Sequence, residues 1–259
     1  MIEAGTLAIL ANRMAAGSFT TTAWVGMADP AVAELMVRAG FDTAMFDMQH
    51  GAVDVASATR GIALVALAGK PSIVRIPVGD FATASRMLDA GAAGIIAPMI
   101  NCVADAQRLV EFTKFPPLGG RSWGPNRALA LSGLDQAAYF ATANRLHIAI
   151  AMIETREALA LVDDILAVPG IDGVFVGPAD LSIALSNGAN LDPLRADVDA
   201  ALTHVATRAK AHSKFASAFC HNGEQAKKLS ARGYLLCSVG TDGMVFRQGV
   251  AAALAPLQG

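Results

Sequence analysis

The chain has 259 residues, 54% of them apolar and 16% charged, with a net charge of −2 and a pI near 6.2. That balance gives no electrostatic footprint for nucleic acid or an anionic membrane, and no apolar run is long enough to span a bilayer. It suits one large α/β domain or two small ones with a substantial core.

Residues 1–16 have helical apolar spacing through Leu7, Leu10 and Met14. Glu3 and the lack of a leading basic cluster make this stretch a poor signal peptide. Residues 19–25 read as a first strand. Asp29-Pro30 opens a helix with a capping carboxylate and a first-position proline, and Gly40 ends it. DTAMFDM at 42–48 is the second strand and runs into Gln49-His50-Gly51. Asp54 caps a helix over 55–69, SIVRIP at 72–77 is the third strand, and a helix spans 80–90. AAGIIAP at 92–98 is the fourth strand, and 101–115 is again helical.

Residues 115–133, FPPLGGRSWGPNRALALSG, break this rhythm. The stretch is too long and too rich in Pro and Gly for a simple connector. Its Arg121, Trp123 and Arg127 suit either a cover over a site or a subunit contact, and an ordinary surface excursion is the alternative. AIAMI at 149–153 and GVFVGPA at 173–179 are the fifth and sixth strands, joined by a helix over 155–166. Residues 214–220 and 234–239 supply the last two strands, and a helix over 242–257 closes the chain.

Eight strand–helix repeats without a compositional break predict a single α/β domain over 1–259. The expected fold is a (β/α)8 TIM barrel with an N-terminal helix and a C-terminal helical extension. A doubly wound sheet is the alternative, but the first turn, TTTAWVGMADP, lacks a Gly-rich phosphate loop. Cys102, Cys220 and Cys237 show neither metal spacing nor an even count, which fits reduced thiols in a cytoplasmic protein.

In a barrel the strand C-termini share one rim, where ligands bind. Glu154 and Asp180 follow neighbouring strands about 4.8 Å apart, so two carboxylates can converge on a hard divalent cation. Singly, Glu154 could answer a helix dipole and Asp180 could be an N-cap; the pair beside Gly177-Pro178 favours a site. Asp47, Gln49 and His50 follow the second strand, and Arg75 ends the third. His50 could move protons near neutrality, although a lone histidine is more often structural. Arg75, in an otherwise apolar strand, needs an anion. Asp89 reads as a helix-end residue where negative charge is disfavoured. None of the six lysines stands late in a predicted strand, which argues against Schiff-base chemistry. The set suits a 2-oxo acid held by a metal ion, with enolate formation beside Arg75 and amides near Ala179 and Asp180 for the carboxylate.

The segments AGFDTAMFDMQHG, IVRIP, IIAPMINCVADA, FPPLGGRS, NRA, MIETREAL and GIDGVFVGPADLS occur in this order over nearly the whole chain. In this they resemble the HpcH/HpaI family of metal-dependent class II pyruvate aldolases, which are 4-hydroxy-2-oxoheptanedioate aldolase-like. The resemblance implies a trimer or hexamer with C-terminal helices exchanged between neighbours. It implies Glu154 and Asp180 as ligands for Mg2+ or Mn2+, with Co2+ also accepted. Arg75 would contact the pyruvate portion, and His50 would act in proton transfer with Asp89 orienting it. Gly177, Pro178 and Ala179 would line the carboxylate site, and Trp123 and Phe219 would stand beside the aldehyde. Asp47, Gln49 and Met152 would support these groups. Gln49 replaces a frequent Glu, Met152 a frequent Gln, and Ser122-Trp123 a smaller pair.

The expected activity is reversible cleavage of 4-hydroxy-2-oxo acids to pyruvate or hydroxypyruvate and an aldehyde, through a metal-stabilised enolate. The rivals are a lyase or decarboxylase acting on a carboxylated or CoA-linked substrate, and a non-catalytic barrel that binds keto acids.

Overall fold

The computed structural model describes residues 3–257. Its eight strands are β1 (Thr20–Val25), β2 (Thr43–Asp47), β3 (Ser72–Arg75), β4 (Gly94–Ala97), β5 (Ile148–Ile153), β6 (Gly173–Val176), β7 (Phe215–Cys220) and β8 (Tyr234–Thr241). All neighbours pair in parallel, in sequence order, and β8 closes on β1. The expected TIM barrel is the observed fold.

Alternation along the strands separates two apolar layers. Val25, Phe46, Val74, Ile95, Val174 and Cys220 face outward into the helices. Trp24, Met45, Ile73, Ile150, Met152 and Phe175 fill the barrel. Full burial of each such side chain stabilises the fold by about 1.5–3 kcal/mol. The inward alternation continues one step further on three strands, from Met45 to Asp47, Ile73 to Arg75 and Met152 to Glu154. That step puts a polar layer directly above an apolar plug.

Helix starts follow the expected caps. Asp29 accepts the Ala31 N–H at 2.9 Å, and Asp54 accepts that of Ser57 at 2.7 Å in a reciprocal capping box. Several boundaries differ from expectation. Within residues 115–133, NRALALS forms the helix Asn126–Ser132, whose Ala128, Leu129 and Leu131 pack into the inner apolar cluster. A second helix, Gln136–Leu146, starts at the Asp135 cap, and Ala196–Ala211 forms another. The connector after β5 breaks at Leu161 into Arg156–Ala160 and Val162–Ala167. β6 stops at Val176, since Pro178 has no N–H for the ladder and starts the helix Pro178–Leu185 instead. The first helix runs Gly5–Ala15, with residues 1 and 2 outside the described ones, and the last helix runs Asp242–Leu254 before a 3-10 turn. No described helix is long and apolar enough to cross a membrane.

The N-terminal end of the barrel is closed by a buried polar pair. Tyr139 Oη lies 2.6 Å from His147 Nε2, and His147 Nδ1 lies 3.0 Å from the Ala92 carbonyl. A carbonyl only accepts, so Nδ1 carries the proton and Nε2 accepts from the tyrosine. Burial, with the Arg121 charge nearby, holds the His147 ring well below its ordinary pKa; burial also pushes the Tyr139 phenol up to about 12. The unfolded chain takes up a proton near pH 6.5 that folded His147 refuses, so stability is full above that pH and falls below it. Between pH 7.5 and 5.5 the wild-type Tm is expected to drop more steeply than that of His147→Gln. Equal slopes would show that His147 does not govern this window.

Candidate active site

The polar layer at the C-terminal end of the barrel is built around Asp47. Arg75 donates to it twice, Nε to Oδ1 at 2.9 Å and Nη2 to Oδ2 at 2.7 Å. The Trp24 indole N–H donates to Oδ2 at 3.2 Å, and the backbone N–H groups of Gln49 and His50 donate to Oδ1 at 3.0 and 3.3 Å. Burial alone would raise the Asp47 carboxyl, but the hydrogen bonds and charge of Arg75, helped by the two amides, hold it below its usual range. The Arg75 guanidinium also lies over the Trp24 ring, 4.6 Å from its centroid. Arg75 is therefore fixed along one edge and over one face, and Nη1 is the nitrogen outside the Asp47 clamp.

Gly51 sets the approach of the His50 loop. An added Cβ there would lie 2.8 Å from the Gly26 Cα and 2.4 Å from the Asp47 carbonyl oxygen. Only glycine lets the loops after β1 and β2 touch, and Ala52 N–H then donates to the Gly26 carbonyl at 2.8 Å. His50 itself is exposed on the rim.

Across the barrel, Glu154 is buried at the end of β5. Its Oε1 accepts the Met99 N–H at 2.8 Å, and Met99 adopts a left-handed φ of 54°. That conformation in a non-glycine residue is uncommon, and here it turns an amide onto the carboxylate. Burial pushes the Glu154 carboxyl up; the Met99 amide opposes this, the Asp180 charge adds to it, and the Arg75 charge opposes it. Asp180 is exposed, in the first turn of the helix that Pro178 begins, where the Ala179 and Asp180 N–H groups have no partner within the helix.

Gly177 makes room for this carboxylate. A Cβ there would lie 2.7 Å from Met152 Cε and 2.8 Å from Glu154 Oε2. Met152 therefore abuts the floor under Glu154, where an apolar side chain leaves the acid without a second polar partner. Gly177→Ala should leave the fold intact yet displace Glu154, weakening metal-dependent activity by roughly tenfold or more. Wild-type activity in that variant would show that Oε2 is free to move.

Two of the expected groups do not join this cluster. Asp89 ends the helix Phe81–Asp89, which returns from β3 to the opposite end of the barrel, and its carboxylate pairs with Arg121 at 2.6 Å. Trp123 packs against Phe115, Tyr139 and Phe140 at that same end. Within one chain, neither Asp89 orients His50 nor Trp123 borders the aldehyde position, because helix direction in a βα unit carries them to the strand N-termini. Phe219 does lie at the mouth, edge-on to Trp24 at 5.3 Å. Trp24 and the Met99 amide are the functional groups that sequence reasoning missed. Trp24 had a visible signal, as a polar-tipped aromatic at the end of a predicted strand; Met99 acts through its backbone and had none.

The side chains here that could bind a divalent ion are Glu154 and Asp180. Among the described residues, no group of three or more His, Cys, Asp or Glu side chains could hold a metal. Two carboxylates are nonetheless enough for Mg2+ or Mn2+, which keep water or substrate oxygens in their remaining positions. Glu154 and Asp180 repel each other, one of them buried, and a cation between them would relieve both costs. The residues fit.

Similarity to known proteins gives the family. The HpcH/HpaI aldolase/citrate lyase family model matches residues 20–249. A hydroxypyruvate/pyruvate aldolase of Rhizorhabdus wittichii is 40% identical over 211 residues, covering 82% of this chain and 83% of that one. A 4-hydroxy-2-oxo-heptane-1,7-dioate aldolase of Klebsiella pneumoniae is 32% identical over 232 residues, covering 90% and 87%. The crystal structure of an HpcH/HpaI aldolase/citrate lyase family protein from Burkholderia cenocepacia superposes with a TM-score of 0.88 at 28% identity, over 97% of this chain and all of the other. With a closed parallel barrel and two rim carboxylates facing a clamped arginine, this chain belongs to the HpcH/HpaI aldolase/citrate lyase family and is an aldolase.

Proposed function

We propose that this aldolase cleaves 4-hydroxy-2-oxo acids, reversibly, to pyruvate or hydroxypyruvate and an aldehyde. The observation that carries the reading is Arg75, locked by Asp47 and Trp24, facing the Glu154–Asp180 pair across one barrel mouth. Glu154 and Asp180 would hold a divalent cation, Mg2+ or Mn2+ with Co2+ as a further possibility. When bound, the ion supplies Lewis acidity toward the oxo group.

The chain's own groups do the rest. The Ala179 and Asp180 amides, at a helix start, hold the substrate carboxylate. Pro178 and Gly177 shape the wall behind it. Arg75 stands beside the oxo oxygen, where negative charge gathers as the C3–C4 bond breaks and its electron pair enters the enolate. His50 takes the proton from the 4-hydroxyl as that oxygen becomes the aldehyde, and returns it in the synthetic direction. Gln49, next to His50, is an amide and so adds no charge there. We further read the enzyme as a cytoplasmic homo-oligomer of three or six chains. The exposed Phe246, Val250 and Leu254 on the last helix and the three unpaired cysteines support that.

Deuterium exchange into the pyruvate methyl group tests the enolate directly. Exchange is expected only after metal is restored to stripped protein. His50→Ala should slow cleavage by about two orders of magnitude or more while slowing this exchange far less. Equal losses would place His50 in enolate formation, and metal-free exchange at the full rate would overturn the mechanism.

A further inference from the structure

The loops around the mouth above the polar layer carry acidic residues but no lysine or arginine. The segments joining each strand to the next helix are 26–29, 48–54, 76–80, 98–102, 154–155, 177 and 221–222, and β8 runs directly into Asp242. None of them contains lysine or arginine. Arg75, at the end of β3, is held by Asp47 through Nε and Nη2, and its remaining nitrogen serves the oxo acid in the reading above. Arg156, one residue past the β5 loop, turns away to the Ala184 and Leu185 carbonyls at the far end of the helix Pro178–Leu185.

These loops present apolar side chains to solvent instead. Met27 after β1 is 40% exposed, Val78 after β3 56%, and Met99 after β4 37%. Ile183 is 40% exposed and lies three residues beyond Asp180 on one helix, hence on the same face. Phe219 adds an aromatic edge from β7. Large exposed apolar groups spaced around one opening mark a surface that meets an apolar ligand.

Resting on the aldolase reading, we propose that the acceptor aldehyde is uncharged and apolar, taken up by the ring of Met27, Val78, Met99, Ile183 and Phe219. The oxo acid's carboxylate has the helix amides and the cation. A second carboxylate, on the far end of the aldehyde, would be desolvated against methionine and valine, and the strand–helix loops offer it no lysine or arginine. Arg247, on the helix Asp242–Leu254, folds its Nη1 back to 3.5 Å from where a Cβ at Gly243 would lie, and is the arginine to test as a rival anion subsite.

Butanal and 4-oxobutanoate have the same chain length and differ at the terminal group, so they form the test pair. With metal-loaded enzyme and saturating pyruvate, kcat/KM for butanal should exceed that for 4-oxobutanoate by about tenfold or more. Val78→Arg, which adds a cation to the ring, should shift the ratio toward 4-oxobutanoate. A preference for 4-oxobutanoate in the wild type overturns the inference; loss of that preference in Arg247→Ala would then identify the anion subsite. Pyruvate methyl exchange in the same samples separates the two levels of argument. Exchange with an inverted aldehyde preference sinks only this inference, whereas no metal-dependent exchange sinks the enolate reading and the inference with it.

Discussion

Glu154→Ala is expected to lower metal-dependent cleavage on the order of a thousandfold or more, because several kcal/mol of Lewis-acid stabilisation depends on the ion being held. Asp180→Ala should lose a comparable amount. The fold should survive both changes: Asp180 is exposed, and removing Glu154 relieves a buried acid whose carboxyl is already pushed up by burial. Thermal unfolding gives a readout independent of turnover. Metal at a hundredfold excess over Kd should stabilise the wild type by about 2.7 kcal/mol, with a corresponding rise in Tm, and should leave Glu154→Ala unmoved. An undiminished metal-induced shift in that variant would assign the cation to other ligands.

The second large effect is expected at Asp47. Asp47→Ala leaves the Arg75 guanidinium buried, facing a space that no longer holds an anion. Breaking one side of a buried pair costs about 3–5 kcal/mol, and denaturant unfolding should show a loss of that size. Activity should fall as well, since Arg75 loses the clamp that aims Nη1 at the substrate. The carboxylate's depressed pKa sets the pH window for this contribution: it is fully present above about pH 4, the unfolded value, and is lost as pH falls through the lower folded value. A stable and active Asp47→Ala would mean that Trp24 alone positions the arginine.

His50, Arg75, Glu154 and Asp180 were legible because each falls at or just past the end of a predicted strand, and in a barrel that single fact puts them on one rim. Strand periodicity also made the fold readable: the alternation that buries Ile73 and Met152 inside the barrel continues to Arg75 and Glu154. Local chemistry was equally direct at Asp29, Asp54 and Pro178, where caps and a missing N–H dictate helix starts whatever surrounds them.

The sequence by itself therefore determined the barrel, the order of its strands, the two carboxylates and the arginine, since these follow from period, spacing and strand direction. Tertiary structure alone decided what each group touches. Asp47 and Arg75 are far apart in sequence and meet because β2 and β3 pair at that register. Trp24 joins them because β1 pairs with β2, with Trp24 opposite Met45, two residues before Asp47. Met99 reaches Glu154 through a backbone amide turned by a left-handed residue, which no side-chain pattern encodes. Asp89 and Trp123 went to the far end for the same reason: residue type marks them as polar or bulky, but the return path of a helix sets which end of the barrel they occupy.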